Sequence, residues 1–261
     1  MGVIISLIAA VLSLTVLFPN SVQADTLSDI QKRGTIRIAV PLDSPPFGSV
    51  NAARNPEGFD IDLAQMIGAS LGVKVELQQV TGANRIPYLM TDKVDIIVSL
   101  LGLTPERAKQ VMFTAPYADT HLGVYGPKSL VVKNASELGK MTVVAAKGTT
   151  QDVGLVAMNP GANIMRTEDD ATAATAYVTG QAELFATNSI AIPELMKRAP
   201  NKEFDLKFAI RRAPAHIGVK MGDFTMVQWL NSFIFFNTMN GELDRLHRKW
   251  LGAPMTPLPT L

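Results

Sequence analysis

The chain has 261 residues, 47% hydrophobic and 18% charged, with a net charge of +1 and no cysteine. The lack of cysteine excludes disulfides, thiolate nucleophiles and thiolate-bound metal clusters, and the near-neutral charge excludes nucleic acid as the main partner. A composition close to the globular average excludes collagen-like, coiled-coil and disordered chains, and the length suits two domains or one large one.

Val3 to Phe18 is apolar except for Ser6, Ser13 and Thr15, and the helix-breaking stretch Pro19-Asn20-Ser21-Val22-Gln23-Ala24 follows it. A short apolar core ahead of small residues at Val22 and Ala24 is the pattern of a secretory signal peptide. A membrane-spanning helix needs about 20 apolar residues. Residues 1–24 are therefore expected to be a signal peptide cleaved after Ala24, which places the protein outside the cytoplasm.

Thr35 to Val40 alternates apolar with other residues, as a strand does. Asp60 is expected to cap a helix carrying Leu63, Met66, Ile67 and Leu71 on one face, stopped by Gly72. Val73, Val75 and Leu77 alternate again, a short helix is expected near Ile86 to Met90, and Val94 to Val98 is apolar enough for a strand buried on both faces. The rhythm restarts with a strand at Met141 to Ala146, a helix at Gln151 to Met158 and a strand at Ile164 to Arg166. A helix at Asp170 to Thr179 and a strand at Ala182 to Ala186 follow. Phe204, Leu206, Phe208 and Ile210 alternate as one more strand. A long amphipathic helix from Phe224 to Asn240 and a last turn with Leu243, Leu246 and Trp250 close the chain. Strand–helix alternation of this kind predicts parallel sheets flanked by helices.

Tyr117 to Tyr125 and Ala209 to Val219 contain strand-like residues where a linker would be rich in Gly and Ser. Two extended crossings predict two lobes with a cleft between them: residues 25–119 and 213–261 forming lobe 1, and residues 120–212 forming lobe 2. Ligands of open α/β sheets sit beyond the carboxyl ends of the strands. Ser99-Leu100-Leu101-Gly102-Leu103-Thr104-Pro105-Glu106-Arg107 lies at such an end. Thr104 suits an N-cap and Pro105 the first helical position, so Arg107 falls in the first turn as a planar fork suited to a carboxylate. Lys147-Gly148-Thr149-Thr150-Gln151 and Thr187-Asn188-Ser189 are polar turns at two further strand ends, and all three are expected to converge on the cleft.

Other apparent motifs carry nothing. Gly68-Ala69-Ser70-Leu71-Gly72 has the spacing of a nucleophile elbow but follows a helix, where the elbow requires a strand. His121, His216 and His247 lack metal-ligand spacing, and there is no Walker loop or dinucleotide glycine pattern, so neither metal nor cofactor is expected. Phe233-Ile234-Phe235-Phe236 is read as core.

The segments Gly34 to Val40, Ser44-Pro45-Pro46-Phe47-Gly48, Gly58 to Ala64, Leu103 to Ala108, Lys147 to Asp152 and Asn240 to Gly252 together resemble the bacterial extracellular solute-binding protein family 3. The resemblance runs from about Gly34 to Gly252. It implies a two-lobe periplasmic-binding-protein fold of class α/β, each lobe a mostly parallel sheet flanked by helices, joined by two hinge strands. It also implies a monomeric periplasmic receptor that closes on an amino acid or related carboxylate and delivers it to the membrane permease of an ABC importer. On this resemblance Arg107 takes the ligand carboxylate, with Thr150 and Gln151 beside it, while Ser99, Leu100 and Gly102 offer backbone groups. Ser44 stands at a position of side-chain contact where many members have an aromatic residue, next to Phe47 in the same motif. Asn188 stands where many members have an aspartate for the ligand ammonium, and Asn84 and Arg85 border the cleft. The chief alternative is an enzyme resembling periplasmic cyclohexadienyl dehydratases. It is disfavoured because no His or carboxylate falls at the matched ligand positions.

Overall fold

In the computed structural model, which describes residues 25–260, helix α1 (Thr26–Arg33) starts where the Asp25 side chain accepts from Ser28 N and ends at Gly34, whose φ of 70° suits a residue without a Cβ. The expected signal peptide lies outside the described residues. Strand β1 (Thr35–Val40) buries Ile36, Ile38 and Val40, as its alternation requires. A small hairpin of β2 (Ser49–Val50) and β3 (Pro56–Glu57) leads to helix α2 (Phe59–Leu71), followed by β4 (Lys74–Gln79), α3 (Arg85–Met90), β5 (Ile96–Gly102), the four-residue α4 (Pro105–Ala108) and β6 (Val111–Ala118). The second lobe comprises β7 (His121–Gly126), β8 (Thr142–Ala146), α5 (Thr150–Met158), β9 (Asn163–Thr167), α6 (Asp170–Val178), β10 (Leu184–Asn188), α7 (Ile192–Arg198) and β11 (Asp205–Arg212). Strand β12 (Ala215–Lys220) and helices α8 (Phe224–Met239) and α9 (Glu242–Leu251) complete the chain.

Two five-stranded sheets result, in the orders β4-β1-β5-β12-β6 and β11-β7-β10-β8-β9. Pairs β1–β4, β1–β5, β8–β9 and β8–β10 are parallel, as crossover helices demand. The crossing strands add antiparallel pairs: β12 with β5 and β6, and β7 with β10 and β11. The two crossings run side by side, with Ala213 N donating to Thr120 O at 2.7 Å and Thr120 Oγ1 to Ala213 O at 2.5 Å. Arg212 and Asp119 form a salt bridge across them.

The first core joins Ile36, Ile38, Phe59, Leu63, Ile67 and Ile96 to Ile217, Val219, Leu230 and Leu246, so the returning segment completes lobe 1. Each such fully buried side chain stabilises the fold by about 1.5–3 kcal/mol. Three expectations change. Asp60 does not cap α2: Gly58 occupies the cap position, and the Asp60 carboxylate reaches across to Leu100 instead. Phe233 and Ile234 are buried, but Phe235 and Phe236 are 69% and 65% exposed, because successive helical residues cannot all face one core. Strand β10 runs on to Asn188, two residues past its expected end, so Asn188 is part of the strand.

Candidate functional site

At the carboxyl end of β5 the Thr104 hydroxyl accepts from Arg107 N at 3.2 Å, and Pro105 fills the first helical position. This cap aims the Arg107 side chain at the other lobe. Arg107 is 8% exposed. Its Nη1 donates to Gly102 O at 2.7 Å and to Thr150 Oγ1 at 2.9 Å, and its Nη2 donates to Gly148 O at 2.9 Å. One guanidinium thus spans both lobes with no carboxylate among its partners in the described residues. Burial, then the positive charges of Arg85 and Arg211, lower its pKa to about 10, so it stays charged at neutral pH.

On the facing lobe, Gly148 makes the turn after β8 with a φ of +70°, and Thr149 caps α5 by accepting from Asp152 N. Thr150 and Gln151 follow, each 6% exposed. Asn188 Oδ1 accepts from Ala191 N at 2.9 Å, which leaves its second lone pair and the two amide N–H groups to offer. The lobes meet closely. A Cβ on Gly82 would lie 2.7 Å from Lys147 O and 2.7 Å from Thr149 Cγ2, and one on Gly102 would lie 2.7 Å from Thr150 Oγ1.

Between the lobes lies a cavity of about 30 Å³ lined by Asp43, Ser44, Gly82, Arg85, Ser99, Leu100, Thr149, Thr150, Gln151, Asp170 and Asn188, with Thr120 and Ala213 of the crossings at its edge. A water needs about 10–15 Å³ on this measure, so an amino-acid-sized molecule enters only when the lobes part. Beyond Asp43, Ser44 and Asp170, a second cavity of about 250 Å³ has apolar walls that include Ala174, Val178, Phe185 and Leu195.

Leu100 sits at the cavity with a left-handed φ of 45°, a strained conformation for a residue with a side chain. Its N–H is held by Asp60 Oδ2 at 3.1 Å and Tyr117 Oη at 3.2 Å. Burial pushes the Asp60 carboxyl up to about 7. Arg85, 7% exposed, donates from Nη1 to the carbonyls of Ser99 and Leu100. Desolvation lowers its pKa, while Asp170 and Asp43 oppose the shift. Asp170 is partly buried, and loss of solvent around its carboxyl, then the nearby Asp43, raise it to about 7. Asp43 is raised for the same first reason.

Ser44, Arg85, Ser99, Leu100, Thr150, Gln151 and Asn188, each singled out in the sequence, therefore line one cavity. Arg107 and Gly102 adjoin it through Thr150. Two others do not reach it. Phe47 is fully buried against Phe59 in the lobe 1 core, and Asn84 turns its carboxamide oxygen back to Thr81 N at 2.8 Å. Asp170 escaped the sequence reading as a cavity residue, since it looks like the first residue of an alanine-rich helix. Asp43 and Asp170 are carboxylates in the cavity wall outside the positions matched to the family's ligand residues. Among the described residues no cluster of His, Asp and Glu could hold a metal ion.

The two hinged sheets and the polar interlobe cavity define a cleft-type receptor for a small ligand. The sequence profile of the bacterial extracellular solute-binding proteins, family 3, matches residues 36–253, and the chain belongs to that family. A glutamine-binding protein of an ABC transporter from Bacillus subtilis is 29% identical over 232 residues, covering 87% of this chain and 85% of that one. A cysteine-binding protein from Campylobacter jejuni superposes with a TM-score of 0.82 at 28% identity, covering 89% of this chain and 95% of that one. A cyclohexadienyl dehydratase from Pseudomonas aeruginosa is 27% identical over 213 residues, covering 76% of this chain and 79% of that one.

Proposed function

We propose that the chain captures an α-amino acid in the interlobe cavity by closing its two lobes, and delivers it to the permease of an ABC importer. One observation carries the reading: Arg107 is a buried guanidinium with no carboxylate partner among the described residues, held by Gly102, Gly148 and Thr150 where the lobes meet. A buried cation without a counterion is costly, and a carboxylate accepting its bidentate fork compensates that cost. In the ligand-bound form the carboxylate replaces protein acceptors on Arg107, with Thr150 as a second donor. The paired crossings at Asp119–Thr120 and Ala213–Pro214 serve as the hinge. The glutamine- and cysteine-binding relatives support an amino acid as the ligand.

The protein works as an exported monomer, with the signal peptide cleaved after Ala24. It binds its ligand without converting it. The named binding relatives support this over the dehydratase reading, although Asp43 and Asp170 supply the acids that such an enzyme would require. A thermal-shift panel of amino acids and related carboxylates tests the function. A true ligand at about 100 times its Kd adds about 2.7 kcal/mol and raises Tm by roughly 5–11 °C. Mass spectrometry of the recovered ligand is expected to show it unchanged. A panel in which no amino acid raises Tm, or a ligand recovered as a new compound, overturns the reading.

A further inference from the structure

The second cavity, of about 250 Å³, belongs mostly to lobe 2 and has no part in the site as described so far. Helix α6 spaces Ala171, Ala174, Thr175 and Val178 at i, i+3, i+4 and i+7, so they share one helical face. That face shares the cavity wall with Leu195 of α7 and Phe185 of β10. Side chains as short as these leave the space beside α7 unfilled. Tyr177, off that face, is fully buried and stacked on Phe185, so the lobe 2 core is complete without it.

Lobe 1 closes the cavity with Asp43, Ser44 and Pro45. Asp43, Ser44 and Asp170 also wall the interlobe cavity, so one partition separates the two spaces. Ser44 is its smallest member. The serine backbone is fixed, with Ser44 N donating to Gly48 O at 2.9 Å and Ser44 O accepting from Gly48 N at 3.1 Å. Its hydroxyl donates to the Asp170 carboxyl across the lobes. Parting of the lobes breaks that contact, and a ligand side chain lying across the partition keeps the passage open as they close again. The sizes agree with this. The interlobe cavity of about 30 Å³ has room for two or three waters and for no side chain. A dry cavity of roughly 150 Å³ lined by Leu, Ile and Phe admits benzene, so the second cavity admits a phenyl ring or a branched aliphatic chain. Its helical walls direct their polar groups to partners of their own: Thr175 Oγ1 donates to Ala171 O at 2.9 Å and Arg198 Nε to Glu194 at 3.0 Å.

We propose that the second cavity receives the side chain of the ligand, which reaches it past Ser44, and that the ligand is an α-amino acid with a bulky apolar side chain, aromatic or branched aliphatic. This assignment rests on the amino-acid reading above and adds to it the class of side chain. Because Ser44 and Pro45 come from lobe 1 and α6 and α7 from lobe 2, a side chain in this cavity touches both lobes and favours their closure.

Isothermal titration of wild type and Ala174→Phe with L-phenylalanine, L-leucine, L-alanine and L-glutamine tests this. Wild type is expected to bind phenylalanine or leucine about 10- to 100-fold tighter than alanine, the effect of burying the additional apolar atoms, and tighter than glutamine. Ala174→Phe fills the cavity from the lobe 2 side and is expected to lower the ratio of apolar to alanine affinity at least tenfold. Circular dichroism checks the fold. Should Ala174→Phe not fold, Val178→Phe, on the same wall at a position 37% exposed, carries the same test. An unchanged ratio in the folded variants overturns the assignment. Wild type that prefers alanine or glutamine to both apolar amino acids overturns it too, while leaving the amino-acid reading intact. Wild type that binds none of the four, nor any other amino acid in the thermal-shift panel, overturns both.

Discussion

Gly82 separates closure from ligand contact. It lies in the loop between β4 and α3, and a Cβ there would meet Lys147 O at 2.7 Å, Thr149 Cγ2 at 2.7 Å and Thr149 N at 3.0 Å. All three atoms belong to the facing lobe, and two are backbone atoms that cannot turn aside. Gly82→Ala therefore strains the closed arrangement and leaves each lobe's own core untouched. Overpacking of this size costs about 1–3 kcal/mol, which weakens ligand affinity about 5- to 150-fold when binding and closure are coupled. Ligand-free stability is expected to stay level or rise slightly, since alanine narrows the unfolded ensemble. Titration calorimetry gives the affinity, thermal melting the stability, and small-angle scattering the change in radius of gyration on adding ligand. Wild-type affinity in Gly82→Ala, with full compaction on binding, would refute the idea that the close interlobe approach belongs to the bound form.

Asp60→Ala removes one of the two acceptors that hold Leu100 N in its left-handed conformation. It is expected to lower stability by about 1–3 kcal/mol and to weaken binding, whereas an effect on melting without one on affinity would confine Asp60 to the fold. Asp170 is raised to about 7 by burial and by Asp43 and Asp169, against Arg85 and the Ser44 hydroxyl. Asp60 is raised to about 7 as well. With both acids taking up protons, affinity for an amino acid, whose ammonium favours an anionic cavity, is expected to fall as pH drops from about 8 to about 6. Titrations across that range check this, and Asp170→Asn is expected to flatten the profile. N-terminal sequencing of the exported protein is expected to begin at Asp25, and an uncleaved chain retained in the membrane contradicts the signal assignment.

The parallel halves of both sheets are legible because β1, β4, β5, β8 and β9 alternate or run apolar, and Gly34 and Gly72 stop the helices before β1 and β4. The antiparallel halves are not, since β6, β7, β11 and β12 meet partners remote in the chain and nothing local declares which sheet a crossing strand joins. The backbone turns of the site were readable for the same reason as the helices: Thr104 with Pro105, and Gly148 with Thr149, are caps with local chemistry. Side-chain direction was the missing quantity. Asp60 has the look of a helix cap and instead supports Leu100, Phe47 stands next to the site in sequence and faces the core, and Asp170 starts a helix whose first turn happens to close against Asp43. The contacts of Asp60 and Asp170 join segments 40 and 127 residues apart, which no periodicity records.

The central claim is that Arg107 holds the ligand carboxylate, and titration calorimetry of Arg107→Ala against wild type tests it most directly, using the amino acid with the largest thermal shift. Losing one partner of a desolvated charge pair costs about 2–5 kcal/mol, so the account predicts affinity weakened from about 30-fold to several thousandfold. Arg107→Lys is expected to bind poorly as well, because an ammonium cannot reproduce the fork. A dissociation constant unchanged in Arg107→Ala would contradict the account and leave Arg107 as a structural bridge between the lobes.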